Sequence, residues 1–171
     1  MKDNKIDIFK KASYIRNFEL EVFKNVKNKN INIPVYLSAG QEFISSTLSH
    51  IINKELNIKP LIFAQHRCHA TYLNFGGDPK SLVDELLERK TGCNSGLGGS
   101  ASLSSKKIKM FGHDGHMGTQ MPIGLGACFA SKKPTIIFLG DASLEEDYVK
   151  SSIGWASFKK PPILIIVEDN I

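Results

Sequence analysis

Residues 135–170, TIIFLGDASLEEDYVKSSIGWASFKKPPILIIVEDN, decide the fold of this chain. Two uninterrupted runs rich in β-branched residues, 135–139 and 163–167, flank an amphipathic segment of helical character. Apolar runs without polar alternation are typical of strands that are covered on both faces. A strand, a helix and a second such strand predict a βαβ unit, and therefore a doubly wound α/β fold with a parallel sheet.

The rest of the chain continues this alternation of helix and strand. Residues 1–34 are expected to form an N-terminal helical extension, and residues 35–171 one ligand-binding domain. The further predicted elements are helices over residues 5–28, 42–52, 79–89, 118–130 and 144–158, and a short strand over 61–64.

Composition limits the class of protein. With 171 residues, 42% hydrophobic and 23% charged, the chain is expected to be a soluble, packed domain. The net charge of +5 is concentrated in the first thirty residues without interleaved aromatic side chains, which argues against nucleic-acid binding. No apolar run is long enough to cross a membrane. An odd cysteine count and the lack of a secretory signal indicate reduced thiols in the cytoplasm.

Polar residues follow three of the predicted strands. These polar clusters are residues 65–69, 140–141 and 168–170. In open parallel sheets, ligands bind beyond the carboxyl ends of the strands. Three clusters at three such ends therefore predict a binding site, although any one of them could be ordinary loop polarity.

Asp141 and Asn170 supply a carboxylate and an amide oxygen at the ends of two successive strands. Such hard oxygen ligands suit Mg²⁺, which keeps other coordination positions for phosphate oxygens. Gly140 allows the backbone to pass close to an anion, and the amides that open the following helix face the same region. This arrangement predicts a magnesium–phosphate site.

The first cluster adds Arg67, His66 and His69. The Arg67 guanidinium matches a diphosphate, and either histidine could transfer a proton near neutral pH. Partly buried, hydrogen-bonded histidines remain the alternative. A zinc site formed by this cluster with Cys68 is disfavoured by its cramped spacing.

Two glycine-rich segments also resemble ligand loops. Residues 92–99 lack the lysine of a phosphate-binding loop and do not directly follow a strand, so a tight backbone loop against a neighbouring domain is expected there. In residues 112–118, glycines flank a short segment whose backbone could approach a flat ligand. His113 and His116 in this segment are further titratable candidates.

The order of these motifs resembles the alpha subunits of thiamine diphosphate-dependent 2-oxo acid dehydrogenases of the pyruvate, branched-chain and acetoin type. The likeness runs through nearly the whole chain. It rests on residues 14–19, 40–42, 66–69, 76–78, 91–93, 98–100 and 115–122, and on the spacing from Asp141 to Asn170.

The resemblance implies a thiamine diphosphate-binding fold in which this chain anchors the diphosphate. It implies Asp141 and Asn170 as Mg²⁺ ligands, with Gly140 and Ala142 in the same cofactor-binding motif. Arg67 would then contact the diphosphate.

The resemblance also assigns roles nearer the reaction. His66 would contact the diphosphate, and His69 would lie near the reacting carbon, so both are candidate catalytic residues. The backbone at Gly115 and Met117 would receive the aminopyrimidine, with Met117 lining the ring pocket.

The implied activity is that of an oxidoreductase subunit that decarboxylates a 2-oxo acid or cleaves acetoin. A beta-type subunit would supply the activating glutamate within a heterotetramer, and a lipoyl-bearing acyltransferase would receive the acyl group. A transketolase-like carboligase with the same anchor is one alternative, and a non-catalytic, truncated interaction module is another.

Some residues depart from the family pattern. Ala142 stands where a glycine is usual, which would cost about 1 kcal/mol if the position required positive φ. Leu97, Ser102 and His113 are further departures. Because the chain ends just after Asn170, we expect a C-terminally incomplete domain that lacks a backbone ligand to the metal and a later active-site histidine.

Overall fold

A computed structural model describes residues 2–170 of the chain. The helices are α1 (Lys2–Lys27), α2 (Glu42–His50), α3 (His69–Asn74), α4 (Pro79–Leu86), α5 (Gln120–Ser131) and α6 (Asp147–Lys159). The strands are β1 (Leu61–Phe63), β2 (Met110–Phe111), β3 (Thr135–Gly140) and β4 (Ile163–Glu168). A π-helical turn (Ile51–Glu55) follows α2, and a 3₁₀ turn (Ala142–Glu145) precedes α6.

The four strands form one sheet in the order β2-β1-β3-β4, and every neighbouring pair is parallel. Alternate residues of the central strands face opposite sides, as the pleat requires. Ile136 and Phe138 pack with α1, α3 and α4, whereas Ile137 and Leu139 pack with α5 and α6. Helices thus cover both faces, which confirms the predicted doubly wound α/β fold.

The two apolar runs that define the fold differ in burial. All six residues of β3 are buried, as predicted. The expectation of a buried strand is wrong for β4, which lies at the edge of the sheet with Leu164 42% exposed. An apolar run alone cannot distinguish a central strand from an edge strand, because both contain the same residue types.

Two predicted helices have different ends. The helix expected over 79–89 stops at Leu86, and Glu88 beyond it has a left-handed φ of 54°. The helix expected over 144–158 is α6, which begins at Asp147 because Glu146 has an extended backbone (φ −69°, ψ 130°). The short elements α3 and β2 are absent from the sequence-based prediction.

The N-terminal helix α1 packs on α2 and contributes Val22 to the core beneath the sheet. The division of the chain at residue 34 remains a prediction. Among residues 2–170, no helix combines the length and the apolar character that crossing a bilayer requires.

Candidate functional site

The sheet register brings the three polar clusters together. β3 pairs with β1 on one side and with β4 on the other, and the last β3–β4 pair is Gly140 with Glu168. Residues 65–67, 140–141 and 168–170 therefore follow neighbouring strand ends at one edge of the sheet. We call these residues the strand-end site.

Arg67 is fixed at this site by its neighbours. Its Nε donates to Gln41 Oε1 at 3.1 Å, and its Nη2 donates to the Glu168 carbonyl at 3.1 Å. Gln41 in turn donates from Nε2 to the Asp169 carbonyl at 3.4 Å. Gln41 and Arg67 thus tie the loop before α2 to the end of β4, so the guanidinium is held in place before any anion binds.

The two predicted metal ligands have free oxygens. The Asp141 carboxylate is half-buried, the Asn170 amide is exposed, and neither side chain forms a hydrogen bond within residues 2–170. Over the same residues, no group of three or more His, Cys, Asp or Glu side chains is placed to hold a metal ion. A cation here would thus take two oxygen ligands from the chain and need others from a bound anion.

Gly140 provides close backbone approach at the centre of the site. A Cβ atom at this position would lie 3.2 Å from Gln65 Oε1 and 3.5 Å from Arg67 Nη2. Gln65 is buried and donates to the Glu168 carboxylate, while its Oε1 has no partner in the described residues. Burial raises the pKa of Glu168, and the Gln65 hydrogen bond and the Arg67 charge oppose that rise.

Ala142 is unstrained. It has no positive φ and forms the first residue of the 3₁₀ turn. The backbone conformation at this position suits any L-residue. Alanine in place of glycine therefore does not cost the free energy that a positive φ would have required.

His66 lies beside Arg67 in a cluster of rings. Its Nε2 is 3.5 Å from Arg67 Nη1, and its ring makes edge contacts with Tyr36 and His113 at centroid distances of 5.1 and 5.7 Å. Burial lowers the pKa of His66, and the charges of Arg67 and His113 lower it further. The neutral imidazole is therefore favoured, and it can accept a proton.

His113 shapes the second glycine segment. Its Nδ1 accepts a hydrogen bond from the Gly115 amide at 3.0 Å, and Gly115 has a left-handed φ of 103°. Burial lowers the pKa of His113, which keeps Nδ1 free to accept. Met117 is 48% exposed, and its carbonyl accepts from the Tyr148 hydroxyl. The backbone of this segment is therefore fixed, and the Met117 side chain is partly accessible.

His69 lies on α3, and its side chain is fully buried. Its Nδ1 is 3.0 Å from Glu19 Oε2, and its Nε2 is 2.8 Å from Ser100 Oγ. Both ring nitrogens therefore have partners inside the chain, and the position of His69 near the reacting carbon stays a prediction.

The glycine-rich loop 92–99 binds an anion that belongs to the chain itself. The buried Glu85 carboxylate accepts hydrogen bonds, at 2.7 to 3.1 Å, from the backbone amides of Asn94, Gly96, Gly98 and Gly99. The loop is therefore closed around an internal partner, and its expected packing against a neighbouring domain stays a prediction.

The sequence-based search missed the supporting residues Gln41, Gln65 and Glu168. The available signal was position, since Gln65 and Glu168 are the first residues of two predicted clusters, although neither was given a role. Nothing in the sequence marks Gln41 as a partner of Arg67, because the two are 26 residues apart.

Comparisons with known proteins identify the family of this chain. The dehydrogenase E1 component family matches residues 10–171. A pyruvate dehydrogenase E1 component subunit alpha from Rickettsia bellii is 31% identical over 175 residues, which is 99% of this chain and 52% of the relative. A mitochondrial counterpart from Chaetomium thermophilum is 31% identical over 161 residues, covering 91% of this chain and 38% of the relative.

This chain spans about half the length of the bacterial relatives it matches, or 52% in the Rickettsia bellii protein. The match nevertheless covers nearly all of the present chain and includes all three clusters of the strand-end site. The resemblance to alpha subunits is thereby confirmed, and the chain belongs to the dehydrogenase E1 component family.

Proposed function

We propose that this chain is the cofactor-anchoring part of a thiamine diphosphate-dependent 2-oxo acid dehydrogenase. The single observation that carries the proposal is the placement of Asp141 and Asn170 just beyond the last β3–β4 pair, beside a fixed Arg67. Two free oxygen ligands and one guanidinium suit a magnesium–diphosphate group. Family membership makes thiamine diphosphate the expected carrier of that group.

The residues present fit this cofactor. Asp141 and Asn170 would hold Mg²⁺, and Arg67 would bind the diphosphate. Gly140 leaves room beside Gln65, since a Cβ there would lie 3.2 Å from Gln65 Oε1, closer than an ordinary contact. The buried Gln65 Oε1, which has no partner in the described residues, would be a spare hydrogen-bond acceptor beside such a group.

The ring end of the cofactor would lie at the second glycine segment. The Gly115 and Met117 backbone would receive the aminopyrimidine, with the Gly115 amide already tied to His113. When bound, thiamine diphosphate supplies the nucleophilic carbon and the electron sink for decarboxylation. His66 is a proton-transfer candidate, since it lies beside Arg67 and its lowered pKa favours the neutral imidazole, which can accept a proton.

The rest of the activity lies outside this chain. A beta-type subunit would supply the activating glutamate, and a lipoyl-bearing acyltransferase would accept the acyl group. Two curated relatives are named as alpha subunits of a pyruvate dehydrogenase E1 component, which favours a small 2-oxo acid as substrate. The transketolase-like carboligase alternative shares the same anchor and differs only in the acceptor.

Calorimetric titration with thiamine diphosphate tests the proposal. With the beta-type partner present, we expect binding in Mg²⁺ that weakens by about tenfold or more in EDTA and in Asn170→Ala. The exposed Asn28→Ala is the matched control and should bind like the wild type. Undetectable binding by the wild-type complex would contradict the proposal and favour a non-catalytic interaction module. Acylation of a lipoyl domain, compared with ligation to an aldehyde, separates the two enzymatic candidates.

A further inference from the structure

A cavity of about 850 Å³ opens beside β2, apart from the strand-end site. It is lined by Leu61, which begins β1, and by Lys109 and Lys133, which precede β2 and β3. It therefore includes the amino ends of the strands, whereas the strand-end site lies beyond their carboxyl ends. Its volume is within the range of small-molecule sites.

Four lysines converge on this cavity: Lys106, Lys107, Lys109 and Lys133. Within the described part of the chain, none of them forms an ion pair with a carboxylate. The one carboxylate in the lining, Asp78, accepts from the Ser81 amide and hydroxyl at 2.8 and 2.9 Å. A concave surface with excess charge of one sign concentrates ligands of the opposite sign.

A tight hairpin turn holds three of these lysines. Ser105 and Met110 exchange backbone hydrogen bonds of 2.9 and 3.0 Å, and the Lys109 amide bonds to the Lys106 carbonyl at 3.3 Å. Lys109 adopts a left-handed φ of 52°, a conformation that a non-glycine residue keeps only when its surroundings impose it. The turn also occupies the outer edge of Met110, so a partner strand cannot pair there.

An aromatic residue, Phe111, also lines the cavity. Phe111 stacks on Phe63 with ring centroids 4.8 Å apart and an interplanar angle of 14°. It is nevertheless 46% exposed, so part of the ring is available to a second flat group. Lysines bind phosphate groups well, and stacking adds affinity for a planar base.

We propose that this cavity binds a small phosphorylated ligand with a flat aromatic body, of the nucleoside diphosphate class. The lysines neutralise the phosphates, and Phe111 stacks on the base. The Ser104 and Ser105 side chains in the lining offer further hydrogen-bonding groups.

Calorimetric titration of the full chain with ADP in EDTA tests this site. Wild type should bind ADP more tightly than inorganic diphosphate or adenosine. The triple variant K106Q/K107Q/K109Q should weaken ADP binding by about tenfold or more. The control K24Q/K27Q/K29Q, which removes the same charge at the end of α1, should change it by less than about twofold.

Two further variants test the role of the aromatic ring and the location of the site. Phe111→Leu should weaken ADP binding by about fivefold or more and leave binding of inorganic diphosphate unchanged. Asp141→Ala should leave ADP binding unchanged, which places the ligand away from the strand-end site. The proposal is overturned if wild type shows no ADP binding, if both lysine triples weaken it equally, or if Asp141→Ala abolishes it. Its failure leaves the thiamine diphosphate titration unaffected, because that titration addresses other residues.

Discussion

The glycine-rich loop 92–99 and the strand-end site both bring polar groups together, but they differ in whether those groups have partners within the chain. In the loop, four backbone amides converge on the Glu85 carboxylate of the same chain. At the strand ends, Asp141 and Asn170 have oxygens with no hydrogen-bond partner in residues 2–170, and Arg67 is fixed beside them. The donors of the first region are matched by an internal acceptor, whereas the second is the region for which we propose an external ligand. The loop should therefore contribute to stability, and the strand ends to binding.

Removing the internal anion should have the largest effect. Glu85→Ala leaves four amide donors without their acceptor and should lower the free energy of unfolding by about 3–5 kcal/mol. Urea denaturation measures this change. Glu21→Ala, on the exposed surface of α1, is the control and should stay within about 0.5 kcal/mol of wild type. A loss below about 1 kcal/mol for Glu85→Ala would contradict the role of Glu85 in the loop.

The opposite result is expected at the strand ends. Asp141→Ala should weaken thiamine diphosphate binding in Mg²⁺ by about 100-fold, equivalent to about 2.7 kcal/mol. Because the carboxylate forms no internal hydrogen bond, the free energy of unfolding should change by less than about 0.5 kcal/mol. Calorimetry and urea denaturation of the same preparation give both values, and Asp147→Ala on α6 is the control. A large loss of stability would remove the contrast between the two regions.

The buried His69–Glu19 pair, like the glycine-rich loop, is expected to contribute to stability. Burial raises the pKa of Glu19, but hydrogen bonds from His69 and Ser38 outweigh this and hold it below its ordinary value of 4.5. A lowered folded-state pKa means stability that is present above pH 4.5 and is lost as the pH falls through the folded-state pKa.

Glu19→Gln should therefore cost about 1–2 kcal/mol near neutral pH. The difference from wild type should shrink as the pH falls below 4.5, which urea denaturation over a pH series would measure. A difference that is constant across this range would show that ionisation of Glu19 does not contribute.

Variants of His113 test whether its hydrogen bond from the Gly115 amide holds the second glycine segment in place. Phe at this position keeps a ring but removes the acceptor for the Gly115 amide, whereas Asn can supply an oxygen close to the place of Nδ1. His113→Phe should speed hydrogen exchange of the Gly115 amide by about tenfold, and His113→Asn should change it little. Exchange that is equal in the two variants would show that the hydrogen bond does not hold this turn.

The smallest effect is expected at Ala142. Ala142→Gly introduces a flexible residue into a 3₁₀ turn that has no positive φ, so it should lower the free energy of unfolding by about 0.5–1 kcal/mol. Thermal denaturation would detect the change. A gain in stability would show that the backbone of Ala142 is strained in the wild type.

Sequence pattern predicted the parallel sheet because β3 and the helix that follows it are long and regular. It missed β2, a strand of two residues, and α3, which begins inside a polar cluster. Such short elements are set by their tertiary contacts and have little periodicity of their own.

The residues of the candidate site also differ in how well the sequence predicts them. The cluster positions followed from the strand ends, so Arg67, Asp141 and Asn170 could be named together. The position of His69 could not be predicted, because its partners Glu19 and Ser100 are 50 and 31 residues away along the chain. The burial of His69 depends on how α1 and the glycine-rich loop pack around it. No local sequence pattern specifies that packing.

The six-residue pairing of β3 with β4 also bears on how such a site can vary in evolution. Insertions within α6 or its flanking turns change the number of residues between Asp141 and Asn170 but leave both at their strand ends. Inserting one residue within either strand would instead turn the following side chains to the opposite face. Homologues should therefore tolerate different motif spacings, while length changes inside the strands are selected against. A search that requires a fixed spacing would miss members that have kept the site intact.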